Sequence, residues 1–388
     1  MRIAILNYLW DPELTSPEAL LDRYFTLTEW SEAVRLAGAS RVCVYQRFSR
    51  DAVVERHGIR YELCADGGPP APSLWTGGAG SLHRAAAAGA PDIAHVNSVL
   101  HPRRIRSLRS RLAPATALVV QDHGGFSPSS ASTLKRAWIR HGLTGADSLL
   151  VAAPGQIPDW HTSGILPRAL PVADVMECSS TMAQMDRDEA RRRSGVEGTP
   201  ALLWVGRLNR NKDPLTVLRG VAAFFDRCPD ARLTLVYAEA DLEPDVRDAI
   251  ARTPALAARV RLAGRIPRAE MPAYFSAADL FVLGSHREGS GYALLDALAC
   301  GAWPVVTDIP SFRALTGGGA AGTLWQPGDA ASLADALARA ERIASEDARP
   351  ACRAHFEQHF SWPAIGRRAL EIYDAALARR RRDRPPER

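Results

Sequence analysis

Ten short β-rich runs separated by helix-length stretches are the feature that most narrows what this chain can fold into. RIAIL (2–6), RVCVY (41–45), DIAHV (92–96), ALVVQ (117–121) and SLLVA (148–152) occupy the first half. ALLWVG (201–206), RLTLVY (232–237), RVRLAG (259–264), DLFVLG (279–284) and WPVVTD (303–308) occupy the second. Between them lie amphipathic segments such as the one in which Trp30, Ala33, Val34 and Ala37 recur at helical spacing. Strands alternating with helices build parallel, doubly wound sheets. A chain of 388 residues exceeds the roughly 250 to 300 that one core supports. Residues 171–200 are polar and charged, so the boundary is placed near residues 175–197. The expected class is α/β, two Rossmann-like domains facing a central cleft, with ligands at the carboxyl ends of the strands.

Composition removes several functions. Six cysteines without a CxxC pair suggest reduced, packed thiols rather than zinc or a disulfide framework. No apolar run approaches the roughly 20 residues that span a bilayer, so a cytoplasmic protein is expected. The formal charge is +5, of which the last ten residues, with six Arg against one Asp and one Glu, supply +4. A near-neutral body argues against a nucleic-acid partner, and the basic tail leaves room only for a weak contact with an anionic membrane surface.

Three strand ends in the second half carry chemistry. After LLWVG come Arg207 and Lys212, the latter just before Asp213-Pro214, which reads as the N-cap and first residue of a helix. Two cations beside a helix start form an anion site. After RVRLAG come Arg265 and Ile266, whose backbone groups can hydrogen-bond a flat heterocycle. After DLFVLGS, Glu288 precedes Ser290, Gly291 and Tyr292, where a turn feeds a helix closed by Gly301, and Asp296 lies within that helix. A carboxylate accepts from adjacent hydroxyls, so a sugar at Glu288 and a ribose at Asp296, with phosphates between them, satisfy the spacing. Asp186-Arg187-Asp188 spells a metal-binding DxD, but it lies in the charged segment rather than after an apolar strand, next to EARRR, where Asp near a helix start is expected.

GRLNRNKDP, AGRIPRAEMPAYFSAADLFVLGS, HREGSGYALLDALACGAWPVVTD, WQPGDAASLADAL and FSWPAIGRRALEIYD together resemble the carboxyl half of retaining glycosyltransferases of the GT-B fold, family 4. The resemblance implies an acceptor domain over 1–175, a nucleotide-sugar donor domain over 198–360 and a helix over 361–378 crossing back to the first domain, while the Arg-rich run over 379–388 reads as a disordered tail. It implies transfer of a sugar from a nucleotide diphosphate donor to an acceptor hydroxyl, with no metal and no cofactor. Arg207 and Lys212 would hold the diphosphate, Glu288 the donor sugar, Ser290, Gly291 and Tyr292 the phosphates or sugar, Asp296 the ribose, Arg265 and Ile266 the base. His123, after ALVVQ, would sit over the sugar. Three features depart from the family: Asp296 stands for the usual Glu, AEADLEP replaces a Gly-rich turn, and residues 7–30 contain no glycine where the family has a Gly-Gly loop. Two other readings remain open: a silent nucleotide-sugar-binding protein, and a nicotinamide-dependent dehydrogenase, which lacks its GxGxxG after the first strand.

Overall fold

The computed structural model describes residues 1–65, 79–123, 126–167, 169–239, 241–343 and 348–382. The fold divides into two compact units, one formed by Met1–Cys178 with Trp362–Arg388, the other by Ser179–Ser361.

The first unit contains β1 (Arg2–Asn7), β2 (Arg41–Phe48), β3 (Ala52–Arg56), β4 (Ile59–Ala65), β5 (Ile93–Val96), β6 (Ala117–Gln121), β7 (Ser148–Val151) and β8 (Val172–Asp174). They form one sheet in the order β3-β4-β2-β1-β5-β6-β7-β8, parallel except for the β3–β4 hairpin. His57 and Gly58, at φ 52° and 74°, make the two-residue turn of that hairpin. The central strands are continuous apolar runs because helices cover both faces of a parallel sheet; Ile93, Ala94, Val96 and all of Ala117–Val120 are fully buried.

The second unit contains β9 (Ala201–Gly206), β10 (Arg232–Tyr237), β11 (Val260–Gly264), β12 (Leu280–Leu283), β13 (Trp303–Thr307) and β14 (Thr323–Trp325). All pair in parallel in the order β11-β10-β9-β12-β13-β14. This is the 3-2-1-4-5-6 order of dinucleotide-binding sheets, and the strand order reverses between β9 and β12.

Three expectations are corrected. The second unit begins at Ser179 rather than at residue 198, since helix Arg187–Ser194 of the charged segment belongs to it, while β8 joins the first sheet. Arg187 and Arg191 of that helix are held by Asp279, whose side chain is 9% exposed. The terminal helix runs from Trp362 to Arg382, past the expected limit of 378, because Arg380 donates to the Pro114 carbonyl at 2.8 Å and lies 3.6 Å from Asp147. Residues 383–388 of the tail lie outside the described residues. Four strands, β3, β4, β8 and β14, go beyond the ten expected.

The terminal helix is an integral layer of the first unit. Tyr373, fully buried, takes the Trp30 indole N–H at 3.3 Å and hydrogen-bonds His95 Nδ1. Burial lowers the His95 pKa to about 3, so its ring is neutral. At the closest point Gly366 meets helix Phe25–Leu36, and a Cβ there would lie 2.3 Å from the Ala33 carbonyl oxygen. Gly366→Ala is therefore expected to cost roughly 1–3 kcal/mol, the scale of an overpacked core, read as a lower denaturation midpoint. All six cysteines are free and five are buried. Among the described residues no helix is long and apolar enough to cross a membrane.

Candidate functional site

The second unit holds two adjoining pockets at its topological switch point. The first, about 380 Å³, lies over the carboxyl ends of β9 and β12 and is lined by Val205–Arg207, Lys212, Leu283, Glu288 and Ser290–Ala293. The second, about 260 Å³, lies over the ends of β9, β10 and β11 and is lined by Tyr237, Arg265, Ile266, Arg268, Phe275 and Asp296. Val205 and Gly206 line both. The nine candidate residues of this unit thus fall into two sets, Arg207, Lys212, Glu288, Ser290, Gly291 and Tyr292 in one pocket, Arg265, Ile266 and Asp296 in the other.

Two loops, one after β9 and one after β12, are locked together in the first pocket. Asn211 donates to the Arg287 carbonyl at 3.0 Å and accepts from the Arg287 N–H at 3.2 Å, while the His286 N–H donates to the Asn211 carbonyl at 2.9 Å. His286 Nε2 lies 3.1 Å from Asp213. Asp213 caps helix Pro214–Phe225, accepting the Thr216 N–H at 3.2 Å. Asn209 takes the Lys212 N–H at 3.0 Å. This clamp delivers Lys212 Nζ onto Glu288 Oε1, and Ser285 donates to the same oxygen at 2.9 Å. Lys212 and Glu288 are both mostly buried, at 18% and 15% exposure, so the pair is shielded from solvent and salt more than a surface pair. Arg207 is open, 64% exposed, and lies 3.5 Å from Glu239.

Helix Tyr292–Cys300 begins at the same pocket. Gly291 caps it at φ 63°, a left-handed conformation, and a Cβ there would lie 2.6 Å from Leu315. Its first backbone N–H groups and the positive end of its dipole face the pocket that Lys212 and Arg207 line. Gly301 closes the helix at φ 80°.

In the second pocket Asp296 is 7% exposed. Ser180 donates to its Oδ1 at 2.6 Å, and Arg268 lies 3.8 Å from its Oδ2. Burial raises the Asp296 pKa, opposed by Ser180 and Arg268. Because the folded carboxyl binds its proton more tightly than the unfolded one, stability falls as pH rises from the unfolded value through the folded one, and the cost persists above it. Asp296→Asn, which keeps an acceptor for Ser180, is expected to raise the melting temperature at pH 7 and to lose that advantage in acid. Equal shifts at both pH values would contradict this account.

His123 lies in the first unit, two residues past β6. Its Nδ1 pairs with Glu177, and its Nε2 is 2.6 Å from Asn97 Oδ1. Burial pulls the imidazole pKa down, but the hydrogen bond and charge of Glu177, with Asp122 behind, outweigh it and the net shift is upward. Gly124 and Gly125, beside it, lie outside the described residues. Asp186 of the DxD caps helix Arg187–Ser194, accepting the Glu189 N–H at 2.9 Å.

Sequence reasoning missed Ser180, Arg268, Asn209, Asn211, His286, Glu177 and Asn97. Asn211 and Arg287 are 76 positions apart, and nothing local marks such partners. An Asn-rich loop opposite a polar one was the only available signal.

A family model for glycosyl transferases group 1 matches residues 186–354. A D-inositol 3-phosphate glycosyltransferase of Thermobispora bispora is 32% identical over 208 residues, covering 50% of this chain and 48% of that one. A GDP-mannose:cellobiosyl-diphosphopolyprenol alpha-mannosyltransferase of Xanthomonas campestris is 28% identical over 269 residues, covering 67% of this chain and 68% of its own. The chain spans about half the length of the first relatives it matches, 48% and 55%. Among solved structures, Anabaena Alr3699/HepE in complex with UDP superposes with a TM-score of 0.68 at 19% identity, covering 97% of this chain and all of that one. Sucrose-phosphate synthase from Thermosynechococcus elongatus gives 0.68 and 19%, with 97% and 99% covered. The region that matches the glycosyl transferases group 1 model, residues 186–354, carries all nine site residues of the second unit, and the chain has the GT-B fold of these solved structures.

Proposed function

We propose that the protein transfers a sugar from a nucleoside diphosphate sugar to an acceptor hydroxyl, with retention at the anomeric carbon and without a metal. The observation that carries the reading is the clamp that brings Lys212 onto Glu288 beside Arg207 and the start of helix Tyr292–Cys300, at the switch point of a dinucleotide-type sheet. That constellation offers cations and backbone donors for a diphosphate and a carboxylate for sugar hydroxyls. The neighbouring pocket, with Ile266, Phe275 and Asp296, suits a base and its ribose. The relative solved with UDP supports a nucleotide ligand. The second unit is then the donor domain and the first the acceptor domain, and His123 comes to the sugar by resemblance.

In this reaction the bond from the anomeric carbon to the β-phosphate oxygen breaks and a bond to the acceptor oxygen forms. Negative charge builds on the leaving diphosphate. Lys212 and the helix N–H groups are in place before that charge develops, Arg207 is ordered by the ligand, and together they stabilise it. The acceptor proton passes to the departing phosphate oxygen, on the same face of the sugar, so retention needs no covalent enzyme intermediate. Glu288 shares Lys212 with the diphosphate, which couples sugar grip to phosphate grip.

A panel of nucleotide sugars, scored for nucleoside diphosphate release, tests the activity. No release with any donor would favour a silent binding protein. The anomeric proton coupling of the product tests retention. Turnover is expected to survive excess EDTA; loss that manganese restores would overturn the assignment of Arg207 and Lys212.

A further inference from the structure

The two oxygens of the Asp296 carboxylate meet different neighbours. Ser180 donates to Oδ1 at 2.6 Å, and Arg268 lies 3.8 Å from Oδ2. Arg268, Asp296 and Met182 line the pocket over the ends of β9, β10 and β11, whereas Ser180 is not among its described lining residues. The Ser180 hydroxyl is itself fixed, because it accepts the Met182 N–H at 3.1 Å and gives its one proton to Asp296. It has none left for a ligand. The segment that carries Ser180 forms neither helix nor strand, yet it is tied down on both sides: Ser179 donates to the Phe360 carbonyl at 2.5 Å, and Ser276 takes the Met185 N–H at 3.0 Å. All of these residues belong to the second unit.

A free aspartate turns about its side-chain torsions and can offer both oxygens to a pair of adjacent hydroxyls. A carboxylate gripped at Oδ1 by a residue fixed to the backbone loses that rotation. On the reading of this pocket as the site of the donor's base and ribose, we propose that Ser180 is a positioning residue: by occupying Oδ1 it leaves Oδ2 to the ligand, so that Asp296 recognises one ribose hydroxyl rather than two. The bond from Ser180 also favours the charged carboxylate against the burial that opposes it, which keeps Oδ2 an acceptor. A serine that merely satisfied a buried carboxylate would leave the choice between ligands untouched.

Calorimetric titration of UDP, GDP and ADP into the full chain, each beside its 2′-deoxy and 3′-deoxy forms, tests this selectivity. For a nucleotide that binds, one deoxy form should lose about tenfold or more in affinity, the scale of a hydrogen bond to a charged group, and the other less than about threefold. Ser180→Ala frees Oδ1 and lets the carboxylate turn, so the gap between the two deoxy forms should close to within about threefold. Inorganic pyrophosphate, which lacks a ribose, should bind the variant as it binds the wild type, with circular dichroism unchanged. The role of Ser180 is overturned if the two deoxy forms weaken alike in the wild type, if the gap survives Ser180→Ala, or if the variant loses pyrophosphate as much as nucleotide. If none of the three ribonucleotides binds, the pocket is not a nucleotide site, and the role of Ser180 falls together with that reading.

Discussion

Replacing Lys212 by alanine lowers the rate at saturating donor by about 10² to 10³, the cost of removing one donor aimed at charge that develops in the transition state. Arg207→Ala follows in the same direction. The two losses differ in kind. Lys212 is fixed by Asn209 and the neighbouring loop clamp and held against Glu288, so it is placed before the donor arrives. Arg207 is open and lies near only Glu239 in the described contacts, so it must be ordered by the ligand. Lys212→Ala should therefore act mainly on kcat, and Arg207→Ala should also raise KM. Wild-type turnover in both variants, measured by nucleoside diphosphate release, would remove them from the reaction.

The second expected result separates Glu288 from Asp296 by calorimetric titration of a sugar-free nucleoside diphosphate. In the unliganded protein Glu288 occupies Lys212. Glu288→Gln removes both that competitor and a negative charge beside the phosphates, so affinity for the free nucleotide should rise by at least about fivefold, since the pair is more shielded than the exposed pairs that set that scale, while transfer falls. Asp296→Ala should weaken the same ligand by about 1 to 3 kcal/mol through a lost hydrogen bond to a charged group. Opposite signs are the signature. If both variants lose nucleotide binding equally, Glu288 does not compete for Lys212 and the two carboxylates do not address different parts of the ligand.

Much of this site was legible in the chain itself. Strands such as Ala117–Gln121, Ala201–Gly206 and Arg232–Tyr237 coincide with their apolar runs, because a strand buried on both faces is a continuous apolar stretch. Asp213-Pro214 and Gly301 mark helix ends by local backbone chemistry, and local chemistry is what a sequence displays best. Two of the strands that escaped, Val172–Asp174 and Thr323–Trp325, are edge pieces of three residues each. Helix Arg187–Ser194 shows no apolar period in the segment 171–200 because it is polar, yet its arginines hold Asp279. Partners set by tertiary proximity, Ser180 to Asp296 across 116 positions or Asn97 to His123, leave no mark in either neighbourhood.

The return of the last helix to the first unit has a consequence for how the molecule comes into being. The ribosome releases Met1–Cys178 first, but the side chain that completes its core, Tyr373 against Trp30 and His95, is still unmade. At translation speeds of 5–20 residues per second, roughly ten to forty seconds of synthesis of Ser179–Ser361 separate the two. During that interval Trp30, Ala33 and Val34 lack the surface that covers them, so the nascent first unit exposes apolar area. The intervening unit is contiguous and can fold as it emerges. A ribosome stalled before Trp362 should therefore carry a protease-resistant second unit and a protease-sensitive first one.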